Sequence, residues 1–173
     1  AGGPPVPDWQ LTSKAAIDRS VAAYLSGDGA QEAAQFKLGR TEVARTGRAD
    51  LLARVELIRC AARVASLVFE ACEGFEKLRS QVDAPERAYA DFLAGRLRAQ
   101  DIHLLPASQR AAAAPDATAD SAASAAQAIK DPFSRLVAAA VLFETGRANP
   151  TTISQAIDTA SAQGWRRPLL AWL

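Results

Sequence analysis

The 173-residue chain has no methionine, one histidine, two cysteines and an aromatic content of only 6%. Each shortage removes a class of function. With His103 as the lone imidazole, a histidine-rich metal or catalytic site is excluded. Cys60 and Cys72 stand twelve residues apart, which is neither the CxxC spacing of a redox pair nor enough to close a zinc site. Charge of one sign is lacking too: 20 basic residues face 19 acidic ones, for a net charge of +1. That balance gives no electrostatic footprint for nucleic acid or an anionic membrane surface. No apolar run approaches the roughly 18 residues of a membrane span. No segment alternates apolar and polar positions with β-branched residues, so strands are not expected.

What is abundant is alanine, at 40 positions. Alanine favours helix, and its small side chain lets helices approach closely. Residues 1–7 hold two glycines and three prolines, a composition that suits an extended tether. Thereafter the expectation is a single all-α domain over 9–173, with 1–8 as the disordered tether. Asp8 or Thr12 is placed to cap a first helix whose stripe is Ile17, Val21, Tyr24 and Leu25. After the Gly27-Asp28-Gly29 break, a second helix over 30–46 turns Ala33, Phe36 and Val43 inward, and Gly47 closes it.

The strongest periodicity lies in RADLLARVELIRCAARVASLVFEAC. Leu51, Val55, Ile58, Ala62, Ala65 and Phe69 recur at intervals of three and four, while Leu52, Leu57, Val64, Leu67 and Val68 add apolar surface around the cylinder. A helix apolar on most sides belongs at the centre of the fold. Asp83 and Glu86 around Pro85 form an N-terminal capping pattern ahead of Tyr89, Phe92 and Leu93. The segment AAAAPDATADSAASAAQA reads as weak, alanine-packed helix from about 118 or as a mobile stretch. Asp131-Pro132 and Asn149-Pro150 open two further helices by the same cap-then-proline device. The first turns Leu136, Ala140 and Phe143 inward, and the second Ile153, Ala156, Ile157 and Ala160. Gly146 and Gly164 end them, and Pro168 starts a last short helix.

Few residues carry candidate chemistry. His103 has Asp101 two positions away but no serine motif, and reads as a loop histidine. Glu70, Glu73 and Glu76 are spaced by threes and would repel on one helical face, so solvation near a helix end is the simpler reading. The arginines at 40, 45, 48, 54, 59 and 63 form a basic stripe. Asp50 stands four before Arg54 and Glu56 three before Arg59, which predicts ion pairs within one helix; the stripe reads first as a solvated face, the alternatives being that the other arginines line a groove for an acidic partner or lay their stems over the core edge. Trp165-Arg166-Arg167 joins an aromatic ring to two guanidinium groups, a combination favoured at interfaces; the leading reading is a plain helix-helix corner with Trp165 covering the core. No catalytic set, cofactor site or metal site is expected. A straight helix through 72 would hold the two cysteines about 18 Å apart, whereas a disulfide needs Cα atoms roughly 4.4–6.8 Å apart. Bridging therefore requires a chain reversal, expected at EACEG with Gly74; without it both are buried thiols.

Two stretches, AAYLSGDGAQEAAQFKLGRTEVARTGRADLLARVEL and AAVLFETGRANPTTISQAIDTASAQGWRRPLLAWL, share a rhythm: helix, glycine turn, helix, glycine, arginine, and a helix opening on Leu-Leu. This rhythm resembles tetratricopeptide-like helical repeats, although the spaced Trp, Leu-Gly, Tyr, Ala, Phe and Pro set of that family is not cleanly present. The resemblance implies antiparallel helix pairs packed as a short α-solenoid; an irregular helical bundle is the alternative. The leader AGGPPVPDWQ resembles the run that follows the lipid-modified cysteine of mature Gram-negative bacterial lipoproteins, and the missing initiator agrees with a cleaved signal peptide. That resemblance implies a periplasmic domain anchored to the outer membrane only through an N-terminal lipid, and an oxidising compartment in which Cys60 and Cys72 bridge. The expected function is a non-enzymatic interaction or assembly module for an envelope protein. The alternative is a small-molecule or lipid binder with an apolar pocket around Leu57, Val64 and Phe69.

Overall fold

A computed structural model describes residues 8–173. The fold is all-α, with no strand among the described residues. The helices are α1 (Asp8–Ser26), α2 (Gly29–Ala44), α3 (Ala49–Ala65), α4 (Glu73–Glu76), α5 (Ala84–Leu93), α6 (Ala107–Ala113), α7 (Ala119–Gln127), α8 (Pro132–Glu144), α9 (Pro150–Gln163) and α10 (Arg166–Trp172). Short 3-10 turns at Arg79–Gln81 and Ala99–Leu104 complete the described chain. The proline-rich leader lies outside the described residues. Helix α1 begins one residue before the expected boundary, so Thr12 sits inside it rather than at its cap.

The helices form because their local signals agree. Asp28 accepts from the Gln31 amide and caps α2, Asp131 caps α8, and Asn149 closes a reciprocal capping box with Thr152 on α9. Thr118 caps α7 in the alanine-rich segment, which is ordered helix from 119. Asp83 departs from its expected role: its side chain makes no cap bond, and Glu86 turns away to Arg54. Helices α1 and α2 pack as an antiparallel hairpin. A Cβ on Gly39 would lie 2.7 Å from Ile17 Cδ1, so only glycine permits that closeness.

Helices α3 and α8 pass through the middle. Leu57, Cys60, Ala61 and Val64 of α3 meet Leu136, Val137, Ala140 and Val141 of α8 in the main core, with Phe75, Phe92 and Trp172 filling the ends. Alanines 122 and 126 of α7 pack on Ala138 and Leu142 of α8. The two stretches of shared rhythm fold as the pairs α1–α2 and α8–α9. Helix α10 returns to touch α1 as well as α9, so the first and last described helices meet and the stack closes as a bundle.

Several inward assignments are corrected. Ala33, Ile58, Phe69 and Phe143 are exposed. In α3 the apolar pattern covers so much of the cylinder that its phase is not fixed locally: the buried apolar set is Ala53, Val55, Leu57, Cys60, Ala61, Ala62, Val64 and Ala65, so Val55, Ala62 and Ala65 of the expected stripe do face inward while Ile58 does not. The helix also stops at Ala65, well short of Cys72. Leu67 takes the left-handed conformation at φ 61°, while its amide donates to Val64 O and the Val68 amide to Arg63 O. This is a Schellman ending. Helices α1, α5, α8 and α9 end the same way on Gly27, Gly95, Gly146 and Gly164. At α3 a leucine occupies the position, at a conformational cost of about 1–2 kcal/mol. Trp172 compensates by donating from Nε1 to the Ala65 carbonyl at 3.1 Å.

Candidate interaction surface and clefts

Of the arginine stripe, Arg45, Arg48 and Arg54 are exposed, whereas Arg40, Arg59 and Arg63 turn to buried carboxylates on neighbouring helices. Glu32 on α2 is 3% exposed. Arg59 donates to it from Nε at 2.9 Å and from Nη2 at 3.1 Å, and Arg63 adds a bond at 3.3 Å. Burial pushes the Glu32 carboxyl up, but those hydrogen bonds outweigh it and hold the group below its ordinary range. Glu56, itself buried, receives Arg40 Nε at 2.6 Å, and Glu86 receives Arg54 at 3.2 Å. The predicted pairs within α3 therefore do not form: Asp50 binds Arg48, and Arg54, Glu56 and Arg59 each pair with another helix. The reason is burial. A carboxylate taken out of water draws the nearest guanidinium from whichever element can reach it.

Gly74 belongs to this ionic layer. It lies within α4, not in the chain reversal, which occurs at Ser66–Leu67. A Cβ at position 74 would collide with the Glu56 carboxylate. The same arginines stack on aromatic rings: Arg59 stands 4.2 Å from the Phe36 centroid, and Arg63 4.6 Å from that of Tyr24.

The Trp165-Arg166-Arg167 corner has two members turned toward the protein. Trp165 packs against the core. Arg167 donates from Nε to Tyr24 O at 2.6 Å and stands over the Tyr24 ring, fastening α10 to α1. Arg166 is exposed. His103 is exposed, with Nδ1 2.9 Å from Gln100 O, and Asp101 binds Arg98 rather than the imidazole. Glu76 pairs with Arg79, while Glu70 and Glu73 lie exposed at a cleft edge.

Cys60 and Cys72 are joined as a disulfide, with Cα atoms 5.8 Å apart. The bridge and the Leu67 turn fix the loop 66–72 on both sides. On it Val68 and Phe69 are presented to solvent, Phe69 at 40% exposure. The Phe69 ring stacks on Phe143, itself 45% exposed, with centroids 6.4 Å apart. Phe143 in turn meets the buried Trp172 edge-on at 5.8 Å. Two adjoining aromatic rings are thus held outward on a rigid base. No local pattern marks this pair, because both phenylalanines fall on inward positions of their periodic patterns.

No family model matches this chain, and no curated protein or solved structure matches it.

Besides a cleft of about 460 Å³ at Phe69, lined by Cys72, Glu76, Arg96 and Glu144 among others, two further clefts bear on these readings. One, of about 710 Å³, is polar and lined by Arg40, Arg59, Glu70, Glu73 and Lys77 beside the disulfide. Its buried carboxylate, Glu56, is already bound to Arg40. The other, of about 320 Å³, lies among α5, α6 and α8 and is walled mainly by apolar side chains such as Phe92, Ile102 and Val141. The pocket expected around Leu57, Val64 and Phe69 does not form: the first two are closed into the core, and Phe69 points to solvent. Among the described residues, no group of three or more His, Cys, Asp or Glu side chains is placed to hold a metal ion.

Proposed function

We propose that this chain is a non-enzymatic interaction module that works in an oxidising compartment such as the periplasm and docks an envelope protein through its Phe69–Phe143 face. The observation that carries the reading is the pair of stacked, outward-facing phenylalanines on a loop fixed by a disulfide. Exposed aromatics on a rigid base lose little conformational entropy on binding and are the residue type enriched at binding hot spots. The disulfide supports the compartment, because such bonds persist where thiols are not kept reduced. The pairing of Glu32, Glu56 and Glu86 with arginines supports the non-enzymatic part, since a neutralised carboxylate is poorly suited to act as base or nucleophile; Glu144, whose Oε2 is buried without a partner and whose carboxyl is pushed up by burial, is the exception.

The test is site-specific photo-cross-linking in intact cells. A photoreactive phenylalanine at position 69 is expected to give a discrete adduct that Phe143→Ser removes. The same probe at the exposed Gln127 on α7 is expected to give none. Absence of an adduct from position 69, or the same adducts from position 127, would overturn the reading.

A further inference from the structure

The cleft of about 460 Å³ at Phe69 carries an imbalance of charge beside the outward phenylalanines. Glu70, Glu76 and Glu144 line it against one cation, Arg96, although the whole chain is nearly neutral at +1. Arg96 is committed to Asp91 at 3.5 Å and to Glu76 at 4.0 Å, and Glu76 has a closer partner in Arg79 at 2.8 Å. Glu70 and Glu144 remain, and among the described residues neither makes an ion pair.

Three circumstances oppose a charge on Glu144. Its Oε2 is enclosed with no hydrogen-bond donor. Burial, with no cation to offset it, pushes the carboxyl up. Glu144 also ends α8, where the helix dipole is negative and disfavours a carboxylate. None of these is offset among the described residues, and such groups cluster where a protein meets a ligand or partner. Glu70 is exposed and follows Phe69 on the loop that the disulfide and the Leu67 turn hold in place. The two carboxylates therefore border the aromatic pair, one at the rim of the cleft and one in its wall.

We propose that the segment docking on Phe69 and Phe143 carries a lysine or arginine beside its apolar contact residues, and that this cation enters the cleft to pair with Glu70 under the field of Glu144. The proposal rests on the docking reading above and names the chemistry of the partner. The long stem of either residue suits the place, because its methylenes lie along the phenyl rings while its charged end reaches the carboxylates. A cation over a phenyl face adds further attraction. The same charges disfavour a second copy of this chain, since a two-fold contact through this face sets the carboxylates of both copies against one another.

The test repeats the photo-cross-link from position 69 with the cleft charges altered. Glu70→Gln and Glu144→Gln keep the shape of each side chain. Each is expected to lower the adduct, relative to the protein present, by about threefold, and the pair together by about tenfold. Glu70→Lys is expected to remove it. Asp158→Asn, an exposed carboxylate on α9 outside the cleft, makes the same change in net charge and is expected to leave the yield as it is. Mass spectrometry of the adduct is expected to find a lysine or arginine within about three residues of the linked position, the reach of one long side chain. No adduct from the unaltered cleft overturns the docking reading and this inference with it. An adduct whose yield is unmoved by Glu70→Gln, Glu144→Gln and Glu70→Lys, or whose linked segment carries no basic residue, overturns the inference and leaves the docking reading standing. Recovery of a second copy of this chain as the linked partner also overturns the inference.

Discussion

Replacing Arg59 with methionine isolates the contribution of the buried ionic layer. Methionine keeps most of the aliphatic stem that lies over Phe36 but removes two of the three hydrogen bonds received by Glu32. Breaking a buried pair from one side costs about 3–5 kcal/mol, because the remaining charge stays desolvated. Arg63 still reaches Glu32 at 3.3 Å, so the loss falls at the low end, near 3 kcal/mol, equivalent to roughly 6–12 °C in Tm for a chain of this size. Glu32→Gln should cost less, about 1–2 kcal/mol, since Arg59 and Arg63 are partly exposed and their guanidinium groups can turn to water. The pH dependence gives the sharper check. In the wild-type protein the Glu32 carboxyl is held below its unfolded value, so its stabilisation is present above that unfolded value and disappears as pH falls through the folded one. In Arg59→Met burial is opposed by Arg63 alone, so the folded value rises and much of that stabilisation is lost at neutral pH; the difference between the two proteins fades as pH falls and the carboxyl protonates in both. Urea unfolding followed by circular dichroism at pH 7 and pH 4 should show a large deficit at the first and a small one at the second. A deficit under about 0.5 kcal/mol at pH 7, the size of an ordinary surface substitution, or one unchanged at pH 4, would refute the reasoning.

Two further perturbations follow from the same region. Cys60→Ala with Cys72→Ala opens a loop of twelve residues' separation and should lower stability by about 3 kcal/mol by loop-closure entropy; reductant should shift the urea midpoint of the wild-type protein by the same amount and leave the double variant unmoved. Gly74→Ala should cost about 1–3 kcal/mol by forcing the Glu56 carboxylate off Arg40, and combining it with Glu56→Gln should cost less than the sum of the two, a coupling measurable by a double-mutant cycle.

Elements whose signals are local were legible in the sequence. Asp131-Pro132 and Asn149-Pro150 open helices because a cap and a fixed φ act within four residues, and Gly146 and Gly164 close them for the same reason. What failed to show depends on the third dimension. Glu56 and Arg59 satisfy the spacing of a helical pair, yet Glu56 faces Arg40 and Arg59 faces Glu32 on another helix. Gly74 looks like punctuation but provides space for a carboxylate that comes from eighteen residues earlier. Leu67 ends a helix with no glycine to mark it. Phe69 and Phe143 continue inward patterns by spacing, but α3 has already stopped before the first, and the second lies at the last turn of α8. Glu70 and Glu144 sit in loop and helix-end surroundings that give no hint of a shared cleft.

The bond from Trp172 to the Ala65 carbonyl spans 107 residues. The end of α3 therefore gains its cover only when the far end of the chain has come back to it. Until then an unfinished helix terminus and the apolar sides of Val64 and Ala65 lie open to water. A chain cut before residue 166 keeps the α1–α2 hairpin and the disulfide but lacks the donor that finishes α3, so the loss of a few residues at one end is felt at the middle of the fold.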